Sequence, residues 1–277
     1  MNLDSVKDLK VLVVGDDILD RYVYVTPLGK SIKEPVISTC WRCEELFHGG
    51  VWAAAEHLKD LCAKVDVMTG LQTTVNTRFV DPTYTRKLFT IHEVRGCDRV
   101  TRAEPIESYD VVIVADFGHG AMTEEQIARV SRDARFLAVN AQTNSQNFGF
   151  NLITKYQRAD FLVLDELEAR LAMHDRESPI EDVILKLGHR NIIVTRGASG
   201  AIGYDGEFHV EHSVAVNVVD TMGAGDAVLA VASPFAAVGT PMCDLVRIGN
   251  AAGAAKCQII GHRQHVTRKA LEERLAV

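Results

Sequence analysis

The chemically most suggestive residues lie together in Asp220-Thr-Met-Gly-Ala-Gly-Asp226. A Val-rich run at 214–219 precedes them, expected as a strand, and an apolar stretch at 225–232 follows, expected as a helix. Gly223 and Gly225 let the backbone turn tightly. They also leave N–H groups free at a helix N-terminus, where the helix dipole favours an anion. An aspartate in that first turn would repel a bound phosphate, but it suits a base that takes a proton from an attacking hydroxyl, help worth roughly 10²–10⁴ in rate. Gly225 and Asp226 fit a plain helix cap equally well. Neither common nucleotide fingerprint is present: no Lys-Ser/Thr follows the glycines, and Val228 stands where G-x-G-x-x-G needs its third glycine.

Other residues group around this loop by type. Asp16 and Asp20 follow the first expected strand, where open α/β sheets bind ligands, with Gly49 and Gly50 as a tight turn. Carboxylates accept paired hydroxyl hydrogen bonds well, which suits a sugar site; pairing of Asp20 with Arg21 is the plain alternative. Asp165 and Glu166 read as an acidic helix start, and Thr195-Arg-Gly-Ala-Ser-Gly200 as a strand-to-strand turn built by Gly197 and Gly200. His262 and His265 lack the Glu of an H-E-x-x-H pair and read as polar loop residues. Cys40 and Cys43 form a C-x-x-C without a second pair, so packing or surface thiols are expected there, and reduced thiols also at Cys62, Cys97, Cys243 and Cys257.

The elements that must position these groups follow from periodicity. Val/Ile-rich runs at 10–14, 65–68, 111–115, 136–139, 161–164 and 192–195 alternate with helical patterns, which predicts an α/β fold with a largely parallel sheet covered on both faces. Helices are expected at 50–62, 179–187, 225–232, 243–260 and 267–275. Thr123-Glu-Glu-Gln126 reads as a capping box opening another. Apolar runs at 22–25, 35–37 and 88–91 have no helices between them, which predicts a small separate β lid from 22–48 and 86–94 over the strand ends. One domain spanning 1–277 is expected, with no internal repeat or long linker.

Composition limits the function classes. The 277 residues are 47% hydrophobic, with 30 Lys and Arg against 37 Asp and Glu, a formal charge of −7. That core suffices for a globule, and the acidity argues against general nucleic-acid binding. The stretch at 227–239 is interrupted by Ser233 and Pro234 and is too short to span a membrane. With no signal-like apolar run at 1–10, a cytoplasmic location and no membrane partner are expected.

Asp220-Thr-x-Gly-Ala-Gly-Asp226 resembles the C-terminal signature of the ribokinase-like (PfkB) carbohydrate kinases, and Gly49-Gly50 with its Ala-rich helix resembles their N-terminal signature. Gly15-Asp-Asp-Ile-Leu-Asp-Arg-Tyr22, Lys33-Glu-Pro-Val36 and Asp116-Phe-Gly-His-Gly120 are similar to the branch that phosphorylates heptose 7-phosphate. The match runs from about residue 10 to 267. The resemblance implies a three-layer sandwich with a small β lid and ATP-dependent phosphorylation of a sugar or sugar-phosphate hydroxyl. Asp226 is then the base, and the amides of Gly223, Ala224 and Gly225 form the anion hole. It further implies sugar contacts from Asp16, Asp20, Gly49 and Gly50, with Arg78 as an anion contact. ATP contacts would come from Thr195, Gly197, Gly200, Asp220 and Thr221, and Mg²⁺ would be held near Glu168 and Asp165 through water. Dependence on a monovalent cation such as K⁺ stays open.

The sequence departs from this family pattern at particular positions. Ala53 replaces a sugar-contacting Asn, and Asn76, His119 and Gln142 replace lysines, which removes cations a phosphorylated sugar would use. After Gly70 the chain runs almost directly into Thr73-Thr-Val-Asn-Thr-Arg78, where the family inserts about one βα unit. A catalytically weak sugar- or nucleotide-binding homologue is therefore the rival reading, while a Rossmann dehydrogenase is disfavoured by the missing glycine fingerprint. The open edge of the lid strands predicts a homodimer through the lid.

Overall fold

The computed structural model describes residues 2–95, 100–101, 104–213 and 217–276. Cys97 and the 214–216 part of the strand expected at 214–219 lie outside the described residues, and 217–219 carry no strand.

Among the described residues, eight strands form the main sheet. These are β1 (Lys10–Gly15), β4 (Lys64–Thr69), β7 (Val111–Asp116), β8 (Leu137–Ala141), β9 (Phe161–Asp165), β10 (Ile192–Thr195), β11 (Ala201–Tyr204) and β12 (Phe208–Glu211). Their spatial order is β12-β11-β10-β9-β8-β7-β1-β4. From β4 to β10 neighbours run parallel, with Val13 of β1 between Val67 and Ile113. Every residue of β7 is buried, as a strand covered on both faces requires.

Side-chain alternation divides the core in two. Val11 and Val13 pack with α1 (Val51–Glu56), α5 (Ala224–Ala237), α6 (Met242–Lys256) and α7 (Arg268–Leu275); Leu12 and Val14 pack with α2 (Glu124–Asp133), α3 (Glu166–Ala172) and α4 (Ile180–Leu187). The result is helix, sheet, helix. Six strands sit where the apolar runs place them. The antiparallel β11 and β12 have four residues each, and Gly203, His209 and Glu211 break the apolar run that makes the equally short β10 readable. α1 stops at Glu56, well short of 62, and α5 runs beyond 232 through Pro234 to Ala237. At α2 the Thr123 hydroxyl accepts the Gln126 amide at 3.2 Å, but the Gln126 side-chain oxygen is buried without a partner, so the expected capping box forms only by half.

A second sheet has the order β3-β2-β5-β6, built from β2 (Asp17–Lys30), β3 (Ile37–Gly50), β5 (Thr74–Asp81) and β6 (Arg86–Glu93). The separate small sheet is where it was expected, but β5 was not: its mixed polar residues hide the strand. Only residues 70–73 separate β4 from β5, so no βα unit lies there. Tyr22, Tyr24, Phe47 and Val80 bury one face against Met222 and Ile260, which seats this sheet on the glycine loop. Trp41, Leu46, Phe89 and Ile91 are exposed. No helix among the described residues is long and apolar enough to cross a membrane. Cys40 and Cys43 are exposed free thiols.

Candidate active site

A cleft of about 990 Å³ opens where the second sheet overhangs the carboxyl ends of the parallel strands. One wall is the loop that starts α5. Gly223 adopts φ 72°, a left-handed conformation a side chain would strain, and a Cβ there would stand 2.8 Å from the His262 ring. Of the three amides nominated as an anion hole, that of Ala224 bends back to Thr221 O at 3.3 Å. Those of Gly223 and Gly225 have no acceptor among the described residues and lie at the positive end of the helix. Asp226 follows in the first turn, 6% exposed, and accepts one hydrogen bond from Gln142 Nε2 at 3.2 Å. Burial pushes its carboxyl above the ordinary range, and the charges of His262 and Lys256 only partly offset this. A carboxylate so placed is a stronger base than an exposed one.

Beyond Asp226 the cleft is lined by Asp20, Gly50, Asn76, Arg78, His92 and His119. Asp20, on β2, is 3% exposed; Arg78 Nη1 bonds one carboxylate oxygen and His262 Nε2 stands 3.5 Å from the other. Burial alone would raise the Asp20 carboxyl, but His262 and Arg78 outweigh it and hold it below the usual range. Gly49 makes room for this carboxylate, since a Cβ would come 2.5 Å from Asp20 Oδ2. The expected pairing of Asp20 with Arg21 does not form; Arg21 bonds Glu44. Asn76 Oδ1 meets His92 Nδ1 at 2.6 Å, and burial pulls the pKa of both His92 and His119 down.

Asp16 corrects the sequence reading. Its oxygens accept the amides of Phe117 (2.9 Å), His119 (3.2 Å) and Ala121 (2.9 Å), so it shapes that loop and does not line the cleft. Asp220 is a second correction. It accepts bonds from Tyr22 Oη, Lys87 Nζ and the amides of Met222 and Gly261, all at 2.9–3.1 Å, and so clamps β2 and β6 of the second sheet to the glycine loop. Burial would raise its carboxyl, yet Lys87 and these amides bring it to about 2. With its oxygens filled, Asp220 has none left for a nucleotide; Thr221 does line the cleft.

The far end is lined by Thr195, Arg196, Gly197 and Gly200. Gly197 (φ 54°) and Gly200 (φ 88°) make the turn between β10 and β11, as their spacing implies. Arg196 pairs with Glu166 at 3.2 Å, and Thr195 Oγ1 faces Leu164 O. Asp165 and Glu168 form a reciprocal capping box at the start of α3, a plainer role than metal ligation. Glu168 also accepts Asn140 Nδ2 and the Thr143 amide, each at 3.0 Å, while burial and then Asp165 raise its carboxyl to about 8. No trio of His, Cys, Asp or Glu among the described residues could itself hold a metal. Mg²⁺ fits this end only with water and phosphate as most of its ligands, which that ion accepts readily.

The sequence left Lys256 unmarked, and it presented His262 as a polar loop residue and Gln142 as a replaced lysine. His262 and Gln142 now stand at Asp20 and Asp226, two of the carboxylates that line the cleft. His262 arrives through the turn after α6 and carries no local pattern.

Residues 62–267 match the pfkB family of carbohydrate kinases. The bifunctional protein HldE of Hyphomonas neptunium is 26% identical over 295 residues, covering 90% of this chain and 60% of its own length. The chain thus spans about 60% of the curated relatives it matches. A Methanocaldococcus jannaschii nucleoside kinase, described as an archaeal member of the ribokinase family, superposes with a TM-score of 0.71 at 16% identity, over 98% of this chain and 99% of that one. Arabidopsis thaliana ribokinase, solved with ribose and ATP, gives 0.68 at 15% identity, over 98% and 99%. The sandwich is therefore a ribokinase fold. With the family match covering well over half of its length, this chain belongs to the pfkB family of carbohydrate kinases.

Proposed function

We propose that the protein transfers the γ-phosphoryl group of ATP to a hydroxyl of a sugar or sugar phosphate. The observation that carries this reading is the pairing of a buried, basic Asp226 with the free amides of Gly223 and Gly225 at one helix N-terminus. In this reading Asp20 and the backbone at Gly49 and Gly50 orient the acceptor, and Asp226 takes the hydroxyl proton as the new O–P bond forms and the bond to ADP breaks. The two glycine amides receive the charge on the phosphoryl oxygens, where one such donor is worth roughly 10²–10³ in rate. Thr195, Gly197, Gly200 and Thr221 line the nucleotide end. Mg²⁺ would sit near Glu168 through water and neutralise phosphate charge.

The HldE relatives support a heptose-phosphate-like acceptor. Arg78 is the cation the described cleft offers at that end, and the Asn76, His119 and Gln142 substitutions leave it to carry phosphate recognition. The test is ADP release with ATP, Mg²⁺ and a panel of sugars and sugar phosphates, heptose 7-phosphate included. Turnover with a heptose phosphate above all others supports the finer reading. Turnover with an unphosphorylated sugar alone refutes it, and ligand binding without turnover on any sugar refutes the kinase in favour of a binding homologue. The exposed Trp41, Leu46, Phe89 and Ile91 support a homodimer through the second sheet.

A further inference from the structure

The most deeply buried cation in the described chain is one that the mechanism above does not use. Lys256, the last residue of α6, is 0% exposed. Its ammonium donates to Met222 O and to Gly261 O, both at 2.7 Å. Its Cε would stand 3.3 Å from a Cβ placed on Gly223, so the side chain runs directly beneath the glycine loop. The residue after it, Cys257, accepts the amides of Val219 and Asp220 at 2.8 and 3.1 Å, which fixes the near side of the same loop. Burying an ammonium is costly unless its charge and protons are satisfied. Burial does pull the pKa of Lys256 down, against the opposing charges of Asp220 and Asp226. A hydrophobic residue would fill this space at lower cost, so the charge calls for a purpose.

Peptide geometry supplies one. Met222 C=O and Gly223 N–H belong to a single planar unit and point in opposite directions. A group that grips the carbonyl from beneath therefore aims the amide outward, toward the cleft. Two backbone carbonyls with carboxylates near by are also the ligand chemistry that a small monovalent cation takes. We propose that Lys256 is a positioning residue for phosphoryl transfer: a built-in ammonium that orients the Met222–Gly223 peptide and makes a dissociable monovalent cation unnecessary. This rests on the kinase reading.

The experiment compares wild type, Lys256→Ala and Lys256→Met in buffers containing tetramethylammonium, K⁺ or NH₄⁺, measuring kcat, KM and the melting temperature of the free protein. Wild-type kcat and melting should not respond to K⁺ or NH₄⁺. Lys256→Ala should lose about 10²-fold in kcat with little change in KM, the scale of one misaimed donor. K⁺ or NH₄⁺ should restore at least about tenfold of that loss and raise its melting temperature. Lys256→Met, which fills the space without charge, should be as slow and should not respond. A wild type that requires K⁺, or a Lys256→Met protein with full kcat, overturns the proposal. If Lys256→Ala fails to fold, the wild-type titration and Lys256→Met decide. A wild type inactive on every sugar refutes the kinase reading instead, and the cation dependence of melting still shows whether Lys256 occupies a cation site.

Discussion

Removing the charge of Arg78 tests how the acceptor end is held together. Asp20 is 3% exposed, and the Arg78 side chain that bonds it is 16% exposed. Arg78→Met keeps the length and removes the charge, leaving Asp20 with His262 at 3.5 Å. Breaking a fully buried pair costs about 3–5 kcal/mol. Since Arg78 is partly exposed and His262 remains, the expected loss here is about 2–3 kcal/mol, or about 3–5 °C in Tm for a chain of this size. Asp20→Asn in the same background removes the orphaned charge and should recover at least about 1 kcal/mol, a coupling typical of residues in direct contact. Urea denaturation of the four proteins measures this cycle. Acceptor KM should rise in Arg78→Met and stay high in the double variant, because the carboxylate that orients the hydroxyls is then gone. A loss below about 0.5 kcal/mol, or a double variant no more stable than Arg78→Met, would refute the pairing as the source of order at Asp20.

The other expectations are brief. Gly223→Ala forces a side chain into the left-handed region and against His262, so kcat should fall about 10²-fold with ATP binding intact; an unchanged kcat would separate this loop from catalysis. Glu168 is held near pKa 8 when folded, against an ordinary value of 4.5, so its contribution to stability is complete below about pH 4.5 and declines as pH rises to about 8. Glu168→Gln should flatten that decline in denaturation curves, and identical slopes would contradict the burial argument. Light scattering should give a dimer that Phe89→Glu dissociates; a wild-type monomer at assay concentration removes the dimer.

How much of this was legible in the sequence depends on the residue. β1 and β7 announced themselves because a strand buried on both faces has to be an unbroken apolar run. The glycine loop was legible because few uses other than an anion site or a cap call for two glycines and an aspartate before an apolar helix. Asp16 and Asp220 show the limit. A carboxylate beside a binding loop looks alike in sequence whether it faces a ligand or backbone amides, and both turned to amides. His262 read as a polar loop residue for another reason: only tertiary folding brings the turn after α6 up to Asp20 and buries the ring. β11 and β12 went unread because their short runs mix glycine and polar residues with the apolar ones, unlike the equally short β10.

The central claim is that Asp226 activates a sugar hydroxyl above the amides of Gly223 and Gly225. The most direct measurement is sugar-dependent ADP release by wild type and Asp226→Asn, with ATP affinity measured in parallel. The account predicts a loss of about 10²–10⁴-fold in kcat with ATP affinity unchanged, and a wild-type rate that falls on the acid side at a pH above that of an ordinary aspartate. Turnover by Asp226→Asn within a few fold of wild type would contradict it.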